Sequence, residues 1–291
     1  MCDQDHYEDD FKKYLRAGNV TRRDFGTLTA GVSLAMLLPQ AANAQAVTET
    51  EVEIKTPDGT ADCYFVHPAS GAHAAVLIWP DILGLRPAFR QMGKRLAESG
   101  YSVLVVNPFY RGKHAPLVPA GATFDDATRA IVMPLAQALN ATTHVADAKA
   151  FVAWLDGQAS VDKNRKIGTT GYCMGGPITM RTAAAVSNRI GAAASFHGGG
   201  LVTANPDSPH LLVPQMKAQY LFAVAENDDQ REPDAKNVLR DTFAKAGLAA
   251  EIEVYAGAAH GWCPPDSAVY NEPQAERAWS RMLVLFEKAL A

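Results

Sequence analysis

Short apolar runs alternate with longer stretches of helical spacing from about residue 47 to the C-terminus. Two alternating runs stand on either side of Pro57-Asp58-Gly59 and predict a hairpin, because this tripeptide favours a tight turn. The run from 74 to 79 is apolar at every position, as in a strand that is buried on both faces. The predicted strands are 51–56, 62–67, 74–79, 101–107, 166–170, 190–196, 219–225 and 250–255.

The stretches between these runs carry apolar residues three and four positions apart, which is typical of helices that pack on a sheet. Gly100 follows the first of them, in the place where a glycine often ends a helix. Pro134 predicts a break or kink within 125–157, which therefore holds one or two helices. The predicted helices are 87–99, those within 125–157, one that ends near 187, 233–246 and 266–290.

Strands and helices in alternation predict an α/β fold, a doubly wound and mainly parallel sheet with helices on both faces. No linker and no shift in composition divides the chain beyond residue 47, so we expect one domain over 47–291. Ligands of such sheets bind beyond the carboxyl ends of the strands. Candidate chemistry is therefore expected in the loops after Trp79, Asn107, Thr170, Ala225 and Tyr255.

Residues 1–46 have a different pattern and are expected to be an export signal. Paired arginines at 22 and 23 precede an uncharged apolar run from 26 to 38, and Ala42-Asn43-Ala44 follows. These are the parts of a signal peptide, and the paired arginines indicate the twin-arginine type. We predict export by the twin-arginine machinery, cleavage near residue 44 or 46, and a periplasmic protein without stable membrane association. The alternatives are an ordinary N-terminal helix and an uncleaved anchor.

Composition limits the partners of the chain. The 27 Lys and Arg against 31 Asp and Glu give a net charge of −4, unlike the basic surface of a protein that binds nucleic acid. Four cysteines in 291 residues are too few for a disulfide framework. A single bridge between Cys63 and Cys263 is left open.

A nucleophile turn stands at the end of the predicted strand 166–170. In Gly171-Tyr172-Cys173-Met174-Gly175, two glycines flank a central cysteine at the spacing of the nucleophile elbow, which usually carries serine. A side chain at either glycine would collide with backbone on so sharp a turn. The helix that follows favours a thiolate at Cys173, and the Met174 N–H is expected to face a developing oxyanion. The alternative is a buried structural cysteine.

Three histidines follow Cys173, and their positions rank them as candidates for a general base. His260 comes directly after the last predicted strand, where the base stands when the order along the chain is nucleophile, acid, base. His197 ends a strand before any candidate acid, so we expect it to line the pocket instead. His210 lies in a loop and carries no signal.

The acid of such a triad is expected after the predicted strand 219–225. Asp228 and Asp229 both qualify by position, and one carboxylate is enough to orient the imidazole of the base. The spacing from the strand end favours Asp228 and leaves Asp229 as the alternative. The carboxylate that is not used is expected to lie in a solvated turn.

Together these residues resemble the dienelactone hydrolase family of α/β-hydrolases, over nearly all of the chain from about residue 47. The resemblance implies an α/β-hydrolase fold without a large lid, and hydrolysis of ester or lactone bonds in a small molecule. The best-known activity of the family is the opening of an unsaturated lactone, and no metal or organic cofactor is implied. The motifs are Gly171-Tyr172-Cys173-Met174-Gly175-Gly176, 221–228, Ala259-His260-Gly261 and 79–85.

The resemblance also implies roles for three further positions. The family has Glu in contact with the resting thiol where Asp81 stands, and the shorter Asp81 would lose that contact, make it through water, or be a turn residue. The Ile82 N–H would be the second oxyanion donor. Arg111 falls near an arginine that holds a substrate carboxylate, its alternative being a surface cation. Pro264 stands where the family has a second such arginine. The resemblance therefore implies the family's reaction more strongly than its substrate.

The expected reaction is acyl transfer through a thioester on Cys173, with His260 moving the proton and Asp228 holding the imidazole. Activated esters, or lactones with stabilised enolate leaving groups, are the expected substrates. Two other functions are open: a non-catalytic binding protein that keeps the fold, and a periplasmic peroxide-reactive thiol protein. For the second, Cys263 would be a resolving cysteine only by accident of the fold.

Overall fold

The computed structural model describes Leu38 and residues 44–291. The strands are β1 (Val47–Thr56), β2 (Gly59–Pro68), β3 (Ala75–Trp79), β4 (Ser102–Val106), β5 (Ile167–Tyr172), β6 (Ile190–Phe196), β7 (Gln219–Ala225) and β8 (Ala250–Tyr255). They form one sheet in the order β1-β2-β4-β3-β5-β6-β7-β8. The β1–β2 hairpin joins β4 in antiparallel orientation, and the neighbours from β4 to β8 are all parallel.

Helices cover both faces of this sheet, each face over its own apolar cluster. One cluster lies under the helices at Ala141–Asp156, Gly175–Ala185 and Ala235–Ala246, and the other lies under those at Pro87–Glu98 and Glu272–Ala289. The predicted α/β fold is therefore confirmed. The helices are α1 (Pro87–Glu98), α2 (Asp126–Gln137), α3 (Ala141–Asp156), α4 (Gly175–Ala185), α5 (Glu226–Arg231), α6 (Ala235–Ala246) and α7 (Glu272–Ala289), with a 3₁₀ helix at Pro209–Gln215.

The apolar run at β3 is explained by the central position of this strand in the sheet. Successive side chains of a strand point to opposite faces, so a strand covered on both sides needs apolar residues throughout. Leu77 and Trp79 accordingly enter the first cluster, while Val76 and Ile78 enter the second. All five residues of β3 are buried.

Two helix boundaries differ from those predicted. The break within 125–157 does not fall at Pro134, which lies inside α2, but before α3, where Asn140 caps the helix. The Asn140 side chain accepts from the N–H of Thr143, and the Thr143 hydroxyl accepts from the N–H of Asn140. At the C-terminus, α7 begins at Glu272 rather than near 266, because Asn271 provides its N-cap.

Most of the predicted export signal lies outside the described residues, so that signal and the division at residue 46 stay predictions. Within the described part of the chain, no helix is both long and apolar enough to cross a membrane. Cys63 and Cys263 are both free and buried, so the bridge that the sequence left open does not form.

Candidate active site

The turn between β5 and α4 carries Cys173 in the left-handed region, with φ at +54°. A side chain on the flanking glycines has no room. A Cβ on Gly171 would lie 2.0 Å from the carbonyl oxygen of Gly175, and a Cβ on Gly175 would lie 2.3 Å from the carbonyl oxygen of Trp79. The steric requirement that the motif predicts is therefore met. Cys173 is buried, with 6% of its surface exposed.

The same close approach brings the loop after β3 onto the turn. Gly175 rests on the backbone of Trp79 and Pro80, and Pro80 is two residues before Ile82. The side chains of Ile82 and Met174 then pack against one small cluster formed by Phe109, Leu117, Val118 and Val132. Met174 directly follows Cys173, and Ile82 lies on the loop that packs against the same turn.

His260 follows β8 and is tied to the loop after β7 through main chain and side chain. Its backbone N–H donates to Asn227 Oδ1 at 2.8 Å, and the N–H of Glu226 donates to the carbonyl of Ala258 at 2.9 Å. Its ring Nδ1 lies 2.7 Å from Asp228 Oδ2. Three contacts between two neighbouring loops therefore fix the place and the direction of this imidazole.

The structure separates the two candidate acids. Asp228 is 7% exposed and shares its carboxylate between His260 and Arg231, whose Nη2 donates to Oδ1 at 2.6 Å. Asp229 instead accepts from the ammonium of Lys236 at 2.6 Å. Only Asp228 is thus joined to His260, and both aspartates lie on the short helix α5 rather than in a turn.

His197 lies behind the turn rather than on an open pocket wall, because only 1% of its surface is exposed. Its Nδ1 accepts from the N–H of Cys173 at 3.1 Å, and its ring centroid lies 5.1 Å from that of His260. Burial, followed by the charge on His260, lowers the pKa of His197 well below its usual value. The expectation that His197 lines the pocket is replaced by contact with both candidate catalytic groups.

Asp81 is bound to Arg86 through both carboxylate oxygens, at 2.6 and 2.9 Å. The same guanidinium holds Asp266, from the loop beyond His260, at 2.7 and 3.0 Å. Burial alone would lower the pKa of Arg86, but the two aspartates raise it overall. A single buried cation therefore clamps the loop after β3 to the loop after β8.

Arg111 is brought to two acidic residues of the protein itself. Its guanidinium donates to Asp147 at 2.7 and 2.8 Å and to Asp58 at 2.6 and 3.0 Å, and it stacks on Tyr110. Asp147 is almost wholly buried, so this ion pair is part of the folded structure. With its charge already balanced, Arg111 gains no support from the geometry as a holder of a substrate carboxylate.

Three residues of the site escaped sequence reasoning: Arg86, Asn227 and Arg231. Arg231 follows Asp228 by three positions, and that spacing on a helix was the one available signal. Arg86 and Asn227 bind partners 180 and 33 residues away, and no local pattern marks them. Within the described part of the chain, no group of His, Cys, Asp and Glu is arranged to hold a metal ion.

The arrangement offers a thiol at the start of a helix, a buried carboxylate paired with an imidazole, and backbone amides at Met174 and in the loop after β3. These groups lie at the carboxyl edge of the sheet, after β5, β7, β8 and β3. A thiol, a base and amide donors are the parts that acyl transfer requires.

Comparison with known proteins relates this chain to a family. The dienelactone hydrolase family model matches residues 61–290. A carboxymethylenebutenolidase from Rhodococcus opacus is 26% identical over 245 residues, which cover 81% of this chain and 90% of that protein. These matches agree with the motifs at the turn and after β8.

Solved structures of similar shape support the fold. A dienelactone hydrolase from Anabaena variabilis superposes with a TM-score of 0.56 at 19% identity, covering 84% of this chain and 99% of the other. A dienelactone hydrolase-like promiscuous phosphotriesterase from metagenomic libraries gives a TM-score of 0.69, also at 19% identity, covering 84% and 100%. Because the family model spans most of the sequence, the chain belongs to the dienelactone hydrolase family and is an α/β-hydrolase that acts on ester or lactone bonds.

Proposed function

We propose that the protein cleaves activated esters or lactones through a triad of Cys173, His260 and Asp228 and an acyl-thioester intermediate. The observation that carries the proposal is the 2.7 Å contact between His260 and the buried Asp228, at the sheet edge that also carries the Cys173 turn. A carboxylate at Nδ1 keeps the proton on that nitrogen, so Nε2 is the nitrogen that can accept a proton.

In the first half of the reaction, Nε2 of His260 takes the thiol proton and the thiolate attacks the acyl carbon. The carbonyl oxygen becomes an oxyanion, which the N–H groups of Ile82 and Met174 stabilise. Loss of one such donor typically raises the barrier by about 3 kcal/mol. When the tetrahedral intermediate collapses, His260 returns the proton to the leaving alkoxide or enolate, and the acyl group stays on sulfur.

In the second half, His260 takes a proton from water while the hydroxide attacks the thioester. The tetrahedral intermediate expels the Cys173 thiolate and releases the carboxylic acid, and the imidazolium of His260 returns its proton to the thiolate, which restores the resting enzyme. Asp228 stabilises the imidazolium in both halves without accepting its proton. The other carboxylate oxygen of Asp228 is held by Arg231 at 2.6 Å, which fixes the orientation of the carboxylate.

The substrate class follows from the groups around the turn. Arg111 is held by Asp58 and Asp147, and Pro264 stands where a second arginine was expected. No carboxylate-binding pair is thus assembled from these positions. We therefore propose neutral aryl esters and enol lactones, whose leaving groups depart readily, as the substrates, and rank them above a free dienelactone acid.

The test is hydrolysis of p-nitrophenyl acetate and a small enol lactone by the protein and its Cys173→Ala variant. We expect the variant to lose roughly 10³-fold or more of kcat/KM, as when a triad nucleophile is removed. Cys63→Ala is the matched control, since Cys63 is equally buried but lies within β2, and should keep full activity. Acid-quenched mass spectrometry should show the acyl mass on Cys173. Full turnover by Cys173→Ala would rule out the triad.

Export of the protein is a separate part of the proposal and is supported by the sequence alone. The arginines at 22 and 23, the apolar run and the small residues that follow direct the chain through the twin-arginine pathway. Replacing both arginines by lysine should retain the protein in the cytoplasm of a bacterial host. Cell fractionation measures this, and unchanged periplasmic recovery would contradict it.

A further inference from the structure

We propose that His197 is a positioning residue, whose single buried ring holds both the Cys173 turn and the imidazole of His260. The inference rests on the proposed function, in which these two residues react. It goes beyond that function because His197 itself exchanges no proton and touches no substrate.

The first contact fixes the turn. The N–H of Cys173 is shared between the carbonyl of Phe196 and Nδ1 of His197, each at 3.1 Å. Cys173 and His197 both adopt left-handed backbone conformations, with φ at +54° and +39°. Strained residues persist where their surroundings over-determine them. Here two strained turns, at the ends of the neighbouring strands β5 and β6, are joined through a single N–H that has two acceptors.

The second contact holds the candidate base. The ring of His197 meets that of His260 edge to face, with centroids 5.1 Å apart and an angle of 66° between planes. It meets Trp262 in the same way at 5.2 Å, and Trp262 stacks on Tyr255. Asp228 anchors His260 through Nδ1, while His197 packs against its ring. The imidazole is therefore held both by a hydrogen bond and by a rigid aromatic wall.

A pair of glycines allows His197 to reach this place. A Cβ on Gly176 would lie 2.7 Å from the Cα of Gly198, and a Cβ on Gly198 would lie 3.2 Å from the Cα of Gly176. Without side chains here, the end of β6 packs directly on the start of α4. His197 directly precedes Gly198, so this close packing also brings His197 against Cys173.

The protonation of His197 follows from its contacts. Because Nδ1 accepts a hydrogen bond, the proton is on Nε2 and the ring is neutral. Nε2 is buried and has no hydrogen-bond partner. A second proton would remove the acceptor for the Cys173 N–H and place a charge beside His260. His197 therefore serves as a neutral support and not as a second base.

Three variants separate the two contacts. His197→Asn keeps an acceptor close to the Nδ1 position and tolerates the left-handed backbone, but it loses the ring. His197→Phe keeps an aromatic ring against His260 and loses the acceptor. His197→Ala loses both. The turn itself should survive in all three, because the Cys173 N–H still bonds to the Phe196 carbonyl.

We expect kcat for p-nitrophenyl acetate to fall about tenfold in the Asn and Phe variants and about 100-fold in the Ala variant, with KM changed less than threefold. A displacement of about 1 Å at a reacting group has effects of this size. The rate at which iodoacetamide alkylates Cys173 should also reach its midpoint at higher pH in the variants, because a loosened His260 stabilises the thiolate less well.

Thermal unfolding distinguishes positioning from a role in stability. His197→Phe removes an unpartnered buried N–H but places a less tolerant side chain on a left-handed backbone, and these effects offset, so its Tm should stay close to that of the wild type while its kcat falls. Tyr220→Phe is the matched control: it deletes another buried, unpartnered polar group, on β7, and should leave kcat unchanged.

Wild-type kcat and alkylation in His197→Phe and His197→Ala would overturn the inference, as would a loss of kcat that parallels a loss of Tm. Either result leaves the proposed function standing if Cys173→Ala is inactive. Turnover by Cys173→Ala would instead remove the proposed function itself.

Discussion

Replacing Arg86 by Leu tests whether the buried ion cluster holds the two catalytic loops. Arg86 makes four hydrogen bonds to two aspartates, and the side chains of Arg86, Asp81 and Asp266 are 9%, 13% and 30% exposed. Removing one partner of a buried ion pair costs about 3–5 kcal/mol, because the other charge stays buried without compensation. Most of the cost is expected from Asp81, since Asp266 is more exposed and water can replace its partner.

We therefore expect Arg86→Leu to lower the free energy of unfolding by about 3–4 kcal/mol. Urea unfolding followed by tryptophan fluorescence measures this, and the same samples give the hydrolysis rate. Asp266→Asn is the milder comparison and should cost about 1 kcal/mol or less. The activity of folded Arg86→Leu should fall as well, because Ile82 and His260 lie on the loops that the clamp joins.

A double variant identifies the cause of this loss. Adding Asp81→Asn to Arg86→Leu removes the stranded charge and keeps an acceptor for the N–H of Leu83, now 2.9 Å from the carboxylate. We expect the double variant to be about 1–2 kcal/mol more stable than Arg86→Leu alone. The reasoning is refuted if Arg86→Leu lies within 1 kcal/mol of wild type, or if the two losses simply add.

Three further predictions concern other parts of the molecule. Asp228→Asn should lower kcat roughly 10³–10⁴-fold with little change in Tm, because the amide favours the wrong imidazole tautomer. Steady-state kinetics measures this, and a kcat close to that of the wild type would show that the carboxylate is dispensable. Gly171→Ala should abolish both activity and folded yield, since its Cβ would lie 2.0 Å from the Gly175 oxygen; a folded, active variant would show that the turn can relax. Burial and two nearby arginines lower the pKa of His144 to about 3. Below about pH 6.5 His144 binds a proton in the unfolded chain but not in the folded chain. The free energy of unfolding should therefore fall by ~1.4 kcal/mol per pH unit down to about pH 3. In His144→Leu the loss between pH 7 and pH 5 should shrink, and urea unfolding of the half-buried His73→Leu is the comparison; an equal slope in the two variants would contradict the assignment.

Steric and periodic rules made several features predictable. The apolar run at β3 was read as a buried strand because only such a strand presents apolar side chains to two faces. The two glycines around Cys173 predicted a turn with no room for a side chain at either glycine, and the Cβ distances confirm this. The positions of His260 and Asp228 after their strands followed from the rule that ligand sites lie at the carboxyl edge.

Other features had no local signal. Helix α5 is six residues long, and its sequence Glu-Asn-Asp-Asp-Gln-Arg has no apolar face from which a helix could be predicted. That helix depends on its contacts with the loop after β8. The boundary expected at Pro134 was different: it was set by the local cap that Asn140 forms with Thr143, a signal that the sequence reasoning overlooked.

By itself the sequence determined the α/β architecture, the sharp turn at Cys173 and the order of the candidate triad, because these depend on side-chain alternation and backbone sterics over a few residues. The tertiary structure alone decided that Asp228 rather than Asp229 meets His260, that Asp147 takes Arg111, and that His197 lies behind the turn. The physical reason is that charged and hydrogen-bonding groups interact with whatever partner lies close in space. Folding brings together groups that are far apart along the chain, and the local sequence does not show which groups these are.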